Sequence, residues 1–145
     1  MKIRKIEPRD LRSLSELYVS VFRIPPWNEH WECDWAEERL TWIFNSQSSY
    51  GYLTTINSKI IGAILGNFIP FKGEKGFEIL ELFVAHQYQR QGIGSKLLDR
   101  LEHELKEDGY NFITLLTAKN SETELFYLHK DYQINRKLRL LDKEF

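Results

Sequence analysis

A mixed α+β fold on a mostly antiparallel sheet is what three features of this 145-residue chain predict. Short runs rich in β-branched and aromatic residues alternate with stretches whose apolar residues recur at helical spacing. Successive β-rich runs in the middle are separated only by turn residues, which is hairpin organisation. Further on, a strand passes through a glycine-bearing junction into an amphipathic helix and then another strand, a single crossover unit. The resulting order is β-α-α-β-β-β-α-β-α-β.

Each element has its own signal. "KIRKI" alternates charged and apolar residues as a short half-buried strand does. Asp10 is placed to cap a helix that carries Leu11, Leu14, Leu17, Tyr18 and Val21 on one face. The prolines of "RIPPWNEHW" end that helix. Asp34 and Glu37 have capping-box spacing ahead of a second helix with Trp35, Leu40, Ile43 and Phe44. "SYGYLTTI" and "IIGAILGNFI" form a hairpin across Asn57, Ser58 and Lys59; "FKGEKG" is a polar loop and "FEILELFV" a central strand. A helix with Ile93, Leu97, Leu98, Leu101 and Leu105 on its apolar face stops at Asp108-Gly109. "YNFITLLTA" is a buried strand, "SETELFYLHK" a short helix and "KLRLLDKEF" a closing strand.

Composition narrows the class. Twenty basic against twenty-one acidic side chains leave a net charge of -1, so no global field favours nucleic acid, and the short run "RKLRL" is too small a basic stripe. The hydrophobic fraction of 42% separates the chain from disordered polypeptides. The single cysteine, Cys33, cannot form an internal disulfide, which suits a cytoplasmic protein, and it reads as a small buried hydrophobe. No apolar run approaches a membrane span, and "MKIRKIEPRD" lacks the apolar centre of a signal peptide. The histidines His30, His86, His103 and His129 show no metal-ligand spacing, so no metal is expected.

The junction "QRQGIGSK" carries most of the chemistry. A Rossmann loop needs a third glycine where Leu97 stands, and a Walker loop needs Gly-Lys-Ser/Thr where the order is Gly94-Ser95-Lys96. What remains is a strand, then Gln89-Arg90-Gln91-Gly92-Ile93-Gly94-Ser95, then a helix. A helix N-terminus offers unsatisfied amides and partial positive charge, and Gly92 and Gly94 remove the β-carbons that would keep a phosphate off that backbone. Arg90 adds a charge-assisted contact and Gln89 or Gln91 neutral ones. The same glycines also suit a tight turn with no ligand.

Gln89-x-x-Gly92-x-Gly94 after "ELFVAHQYQ" resembles the acyl-CoA pyrophosphate loop of the GNAT superfamily of acyl-CoA-dependent N-acetyltransferases. Downstream, Asn120, Phe126-Tyr127 and Asp131-Tyr132 have the spacing of that family's second motif. Thr123 stands where the family often has alanine, and Asp131 where it often has glycine; aspartate tolerates the left-handed conformation needed there. The resemblance implies one N-acetyltransferase domain over residues 1–145, with a splayed strand pair at the acyl-CoA site and acetyl-CoA as acyl donor. It implies cofactor holding by Gln89 to Ser95 and Asn120, and carbonyl polarisation by a backbone N–H near Leu82, Phe83 or Val84. Tyr127 is implied as general acid, with its phenol near pKa ~10 and the leaving thiol near about 8.5; its other reading is an aromatic cluster with Phe126 and Tyr132. Asn120 could instead cap the helix that follows.

Glu78 and Glu81 are the candidate general bases. Their odd spacing puts them on opposite faces of a regular strand, and on one face only if a bulge intervenes. The segment "FRIPPWNEHWECDWAEERL", where the family walls its acceptor site, combines tryptophans with Glu29, Glu32, Asp34, Glu37 and Glu38. That chemistry suits a small cationic primary amine, although tryptophans in the core beside a solvated acidic face would read the same way. A homodimer is compatible with the family. The other functional class is an acyl-CoA-binding sensor or interaction module of the same fold without turnover.

Overall fold

The computed structural model describes residues 1–46 and 50–145. Their contacts group into two compact units, Met1–Leu115 and Leu116–Phe145. The first holds β1 (Lys2–Lys5), α1 (Leu11–Arg23), α2 (Cys33–Phe44), β2 (Tyr50–Ile56), β3 (Lys59–Phe71), β4 (Glu74–Val84), α3 (Ile93–Glu107) and β5 (Phe112–Leu115). The second holds α4 (Glu122–His129). Among the described residues no helix is long and apolar enough to cross a membrane.

The strands form one sheet in the order β1-β2-β3-β4-β5, antiparallel except for the β4–β5 pair. Two turns explain the hairpins. Asn57 and Ser58 both adopt positive φ (51° and 66°), as do Lys72 and Gly73 (52° and 77°), the pairing that lets a two-residue turn follow strand twist. The expected polar loop "FKGEKG" is therefore a tight turn, and β3 and β4 run further than the apolar pattern marks. The start of the run "SYGYLTTI", Ser49, lies outside the described residues.

The helices occupy opposite faces. Leu11, Leu14, Tyr18, Val21 and Phe22 of α1 and Ala36, Leu40 and Ile43 of α2 pack with Leu53, Ala63, Leu65 and Phe83. The other face takes α3, whose Ile93, Leu97, Leu98, Leu101 and Leu105 are all buried, as their spacing predicts. Asp108-Gly109 ends α3 as expected, with Gly109 left-handed and the Tyr110 N–H donating back to Leu105 O at 2.9 Å.

Several local expectations are corrected. Asp10 does not cap α1; it accepts two bonds from Arg4 (2.7 and 2.9 Å) and one from the Glu7 N–H, because a buried carboxylate takes a charged partner first. Asp34 lies inside α2 rather than at its cap, and both Asp34 and Glu37 accept from Arg12 of α1. Trp35 is 52% exposed and Trp42 58%, since the α2 stripe that meets the sheet is Ala36, Leu40 and Ile43. "YNFITLLTA" forms a strand only at Phe112–Leu115. "KLRLLDKEF" forms none: a strand needs a ladder partner, and Leu138, Leu140 and Leu141 are exposed.

The Arg4–Asp10 pair makes a stability prediction. Arg4 holds the Asp10 carboxyl below its ordinary value, first by hydrogen bonding, against the opposing effect of burial. A depressed carboxylate stabilises the fold above its unfolded-state value of ~3.9, and the contribution is lost as pH falls through the lower folded-state value. Asp10→Ala should cost about 2 kcal/mol in urea unfolding at pH 7, from bonds to charge worth ~1.5–3 kcal/mol. The gap from wild type should close in acid.

Candidate functional site

One irregularity in β4 positions the carboxylates. Leu65 pairs with Glu81 and Gly66 with Ile79, leaving Leu80 as an extra residue, a β-bulge. The bulge resets the alternation, so the three-residue spacing of Glu78 and Glu81 no longer separates them. Glu81 reaches α1 and α2. Glu78 pairs with Asn67, whose side-chain amide, oriented to satisfy its hydrogen bonds, reaches the Ile43 carbonyl of α2 at 3.3 Å. Both acids therefore lie on the α1/α2 face of the sheet.

Glu81 is 8% exposed. Its Oε1 accepts from Tyr18 Oη at 2.9 Å and from Arg39 Nε at 2.5 Å. Both donors go to Oε1, and Oε2 takes no hydrogen bond among the described residues. Burial pushes the carboxyl above its usual range, while Arg39 and then Tyr18 pull it back. The Tyr18 phenol is pushed up by burial and by Glu81. Phe83 and Trp31 meet the Tyr18 ring edge-on at 5.3 and 5.0 Å, Trp27 meets Phe22 at 5.5 Å, and Trp31 donates to Glu29 at 3.1 Å. Of the acidic wall read from sequence, Glu29 thus lies beside this aromatic group. Asp34 and Glu37 hold Arg12, and Glu32 pairs with His30. Cys33 is the first residue of α2 and is half-buried.

Beyond the bulge, β4 pairs only with β3 among the described residues. Its ladder with β5 ends at Ile79–Leu115, whereas Leu82, Phe83 and Val84 continue to pair with β3. After Ala85 and a 3-10 turn at His86–Tyr88, the chain turns into α3 with Arg90 at φ 62° and Gly92 at φ 81°. The first α3 bond runs from Lys96 N–H to Gly92 O, so the Gly92, Ile93 and Gly94 amides point beyond the helix end. Left-handed residues on either side of Gln91 bend the chain sharply into the helix. A β-carbon on Gly92 would meet no atom within 4 Å. The side-chain amide nitrogens of Gln89 and Gln91 donate to Val84 O (2.9 Å) and Gln87 O (3.1 Å), shaping the loop from within. The Ile93 side chain is buried, so only its backbone faces the turn. Ser95 lies in the first turn of α3. A cavity of about 500 Å3 lined by Tyr50, Phe68, Lys75 and Tyr110 sits at the opposite end of β4, away from these groups.

In the second unit, Ser121 caps α4 by accepting from the Glu124 N–H at 3.1 Å. The capping alternative for Asn120 is therefore replaced; Asn120 precedes the cap at φ 58°. Asp131 is left-handed at φ 69°, as expected of a residue standing where glycine is usual. Tyr127 is buried, with Phe126 and Tyr132 ring centroids at 5.1 and 5.3 Å.

Residues 11–131 match the model of the acetyltransferase (GNAT) family. The chain belongs to the GNAT acetyltransferase family. As a GNAT acetyltransferase it is an acyltransferase. The fold agrees with solved relatives at low identity. A possible acetyltransferase from Clostridium difficile 630 superposes with a TM-score of 0.83 at 14% identity, over 99% of this chain and 97% of that one. A ribosomal-protein-alanine N-acetyltransferase from Brucella melitensis biovar Abortus 2308 gives 0.76 at 14%, covering 99% and 100%. An aminoglycoside acetyltransferase from an uncultured soil metagenomic sample, in complex with sisomicin, gives 0.70 at 21%, covering 99% and 93%. At such identities these likenesses show the GNAT fold alone. No curated protein matches the chain.

Two features of the candidate site escape sequence reading. Tyr18 and Arg39 lie 63 and 42 residues from Glu81, and Tyr18 reads simply as part of an apolar helix face. The left-handed Arg90 has no sequence signal, because that conformation favours glycine or asparagine and costs other side chains roughly 1–2 kcal/mol.

Proposed function

We propose that the chain, as one transferase domain, moves an acetyl group from acetyl-CoA to a primary amine of a small cationic acceptor by direct attack in a ternary complex. The observation that carries this reading is the α3 N-terminus opening beside the one-sided stretch of β4. A pyrophosphate fits amides that point out of a helix end past a glycine with no neighbouring atoms. An extended arm fits a strand edge with backbone groups to share. The family model spans both compact units, which supports a single domain.

Acetyl-CoA, when bound, would supply a thioester carbonyl. The backbone of Leu82 to Val84 would polarise it. Glu81 or Glu78 would take the proton released as the amine nitrogen bonds to that carbon, and Tyr127 would protonate the sulfur as the carbon–sulfur bond breaks. Trp27, Trp31 and Glu29, grouped beside Tyr18, suit a cationic acceptor. The single cysteine and the acetyl donor accord with a cytoplasmic enzyme.

Calorimetric titration with acetyl-CoA, with dephospho-CoA and ATP as controls, tests the cofactor. Micromolar binding by the wild type is expected, followed by amine-dependent release of CoA. Gly92→Trp should weaken binding at least tenfold, about 1.4 kcal/mol, because its side chain fills the approach to the α3 amides. The added side chain meets nothing in the chain, so the fold should lose only the roughly 1–2 kcal/mol of a left-handed non-glycine. Absence of acetyl-CoA binding by the wild type would refute the assignment. Binding without release of CoA for any amine would leave the sensor reading.

A further inference from the structure

We infer that Arg39 and Tyr18 are positioning residues for acetyl transfer: together they hold Glu81 by one oxygen, Oε1, and leave Oε2 to take the acceptor's proton. This inference rests on the transferase reading. It adds a choice between the two acids and a reason for that choice.

The argument is geometric. Glu81 follows the Leu80 bulge, which turns it onto the α1/α2 face directly before the one-sided stretch at Leu82 to Val84. Two elements distant in sequence send one donor each to the same oxygen, Tyr18 from α1 and Arg39 from α2. A side chain tied at one oxygen by two donors and only 8% exposed cannot rotate freely, so its second oxygen keeps one direction. The proton moves from the acceptor nitrogen to Oε2, and the bonds at Oε1 stay as they are.

The charges around Glu81 set the direction of the test. From α2 comes the Arg39 cation, from α1 the neutral Tyr18, and from the α1–α2 connection Glu29. Glu78 shares the face on β4 itself, and β3 presents Leu65 and Asn67. Burial and Glu29 favour the protonated acid, whereas Arg39 is the largest influence favouring the carboxylate. Removing Arg39 must therefore raise the pH at which Glu81 loses its proton. A cation at hydrogen-bond distance displaces a carboxyl titration by roughly 1–3 pH units.

The experiment compares wild type, Arg39→Met, Arg39→Lys and Tyr18→Phe. The pH dependence of acetyl transfer to an amine such as spermidine is one readout. Acetyl-CoA affinity is the second. The third is 13C NMR titration of carboxyl-labelled glutamate, with the Glu81 signal assigned by its loss in Glu81→Gln. In Arg39→Met the acid limb of the rate profile and the Glu81 titration should both move up by about 1–3 pH units, with acetyl-CoA affinity unchanged. Arg39→Lys should restore most of the shift, and Tyr18→Phe should move the limb less, in the same direction. A uniform loss of rate with an unmoved acid limb would overturn the inference and leave the pair purely structural. A moved carboxyl titration with an unmoved limb would also overturn it, assigning the proton to Glu78. If the wild type binds acetyl-CoA yet transfers to no amine, the transferase reading fails, while the NMR titration still reports the Arg39–Glu81 coupling.

Discussion

Glu81→Gln is expected to lower kcat for an amine acceptor by about 10²–10⁴-fold, the range of a lost general base, with acetyl-CoA affinity unchanged. The substitution conserves volume, and the amide oxygen can still accept from Tyr18 Oη and Arg39 Nε. What disappears is the charge that would take the proton. Arg39 loses its ion-pair partner, but its side chain is 35% exposed, so water can solvate it and unfolding stability should change little. The pH profile sharpens the expectation. Burial raises the Glu81 carboxyl, so wild-type rate should fall as acid protonates Glu81 above the usual glutamate range, and the residual Glu81→Gln rate should lack that limb. The same substitution at Glu78 is the control. If Glu78→Gln takes the large loss and Glu81→Gln does not, the base is Glu78.

Gly66→Ala should damage the fold severely, at about 3 kcal/mol or more in urea unfolding. Gly66 lies in β3 opposite the Leu80 bulge, and a β-carbon there would stand 1.9 Å from the Glu78 carbonyl oxygen and 2.8 Å from the Phe77 ring. The first obstacle is backbone, which cannot swing aside, so β4 would have to move. Movement of β4 at the bulge would also turn Glu78 and Glu81, and activity per folded molecule should fall along with stability. Gly73→Ala is the comparison. That glycine is left-handed (φ 77°) with nothing within 4 Å, so the cost should be about 1–2 kcal/mol without loss of specific activity.

The amphipathic helices and the turns were legible in the sequence wherever a local rule sufficed. The α3 stripe from Ile93 to Leu105, its stop at Asp108-Gly109 and the left-handed Asp131 need no information from elsewhere in the chain. The failures arose where a side chain had two local uses and a distant partner decided between them. Asp10 had the spacing of a cap, and Asp34 with Glu37 that of a capping box; arginines from other elements took all three. "KLRLLDKEF" had strand residues but no ladder, and strand propensity only expresses itself against a partner.

For the site, sequence alone determined the backbone chemistry. Glycines at 92 and 94 before an amphipathic helix specify an exposed helix N-terminus, because that geometry depends on residues adjacent in the chain. The fold alone decided the placement of the candidate acids. Whether Glu78 and Glu81 share a face depends on one unpaired residue, Leu80, in the register between β3 and β4. How Glu81 is held and charged depends on Tyr18 and Arg39, brought to it by the packing of α1 and α2 on the sheet. Register and burial arise from contacts distant in sequence, and a carboxylate's direction and proton affinity follow from them.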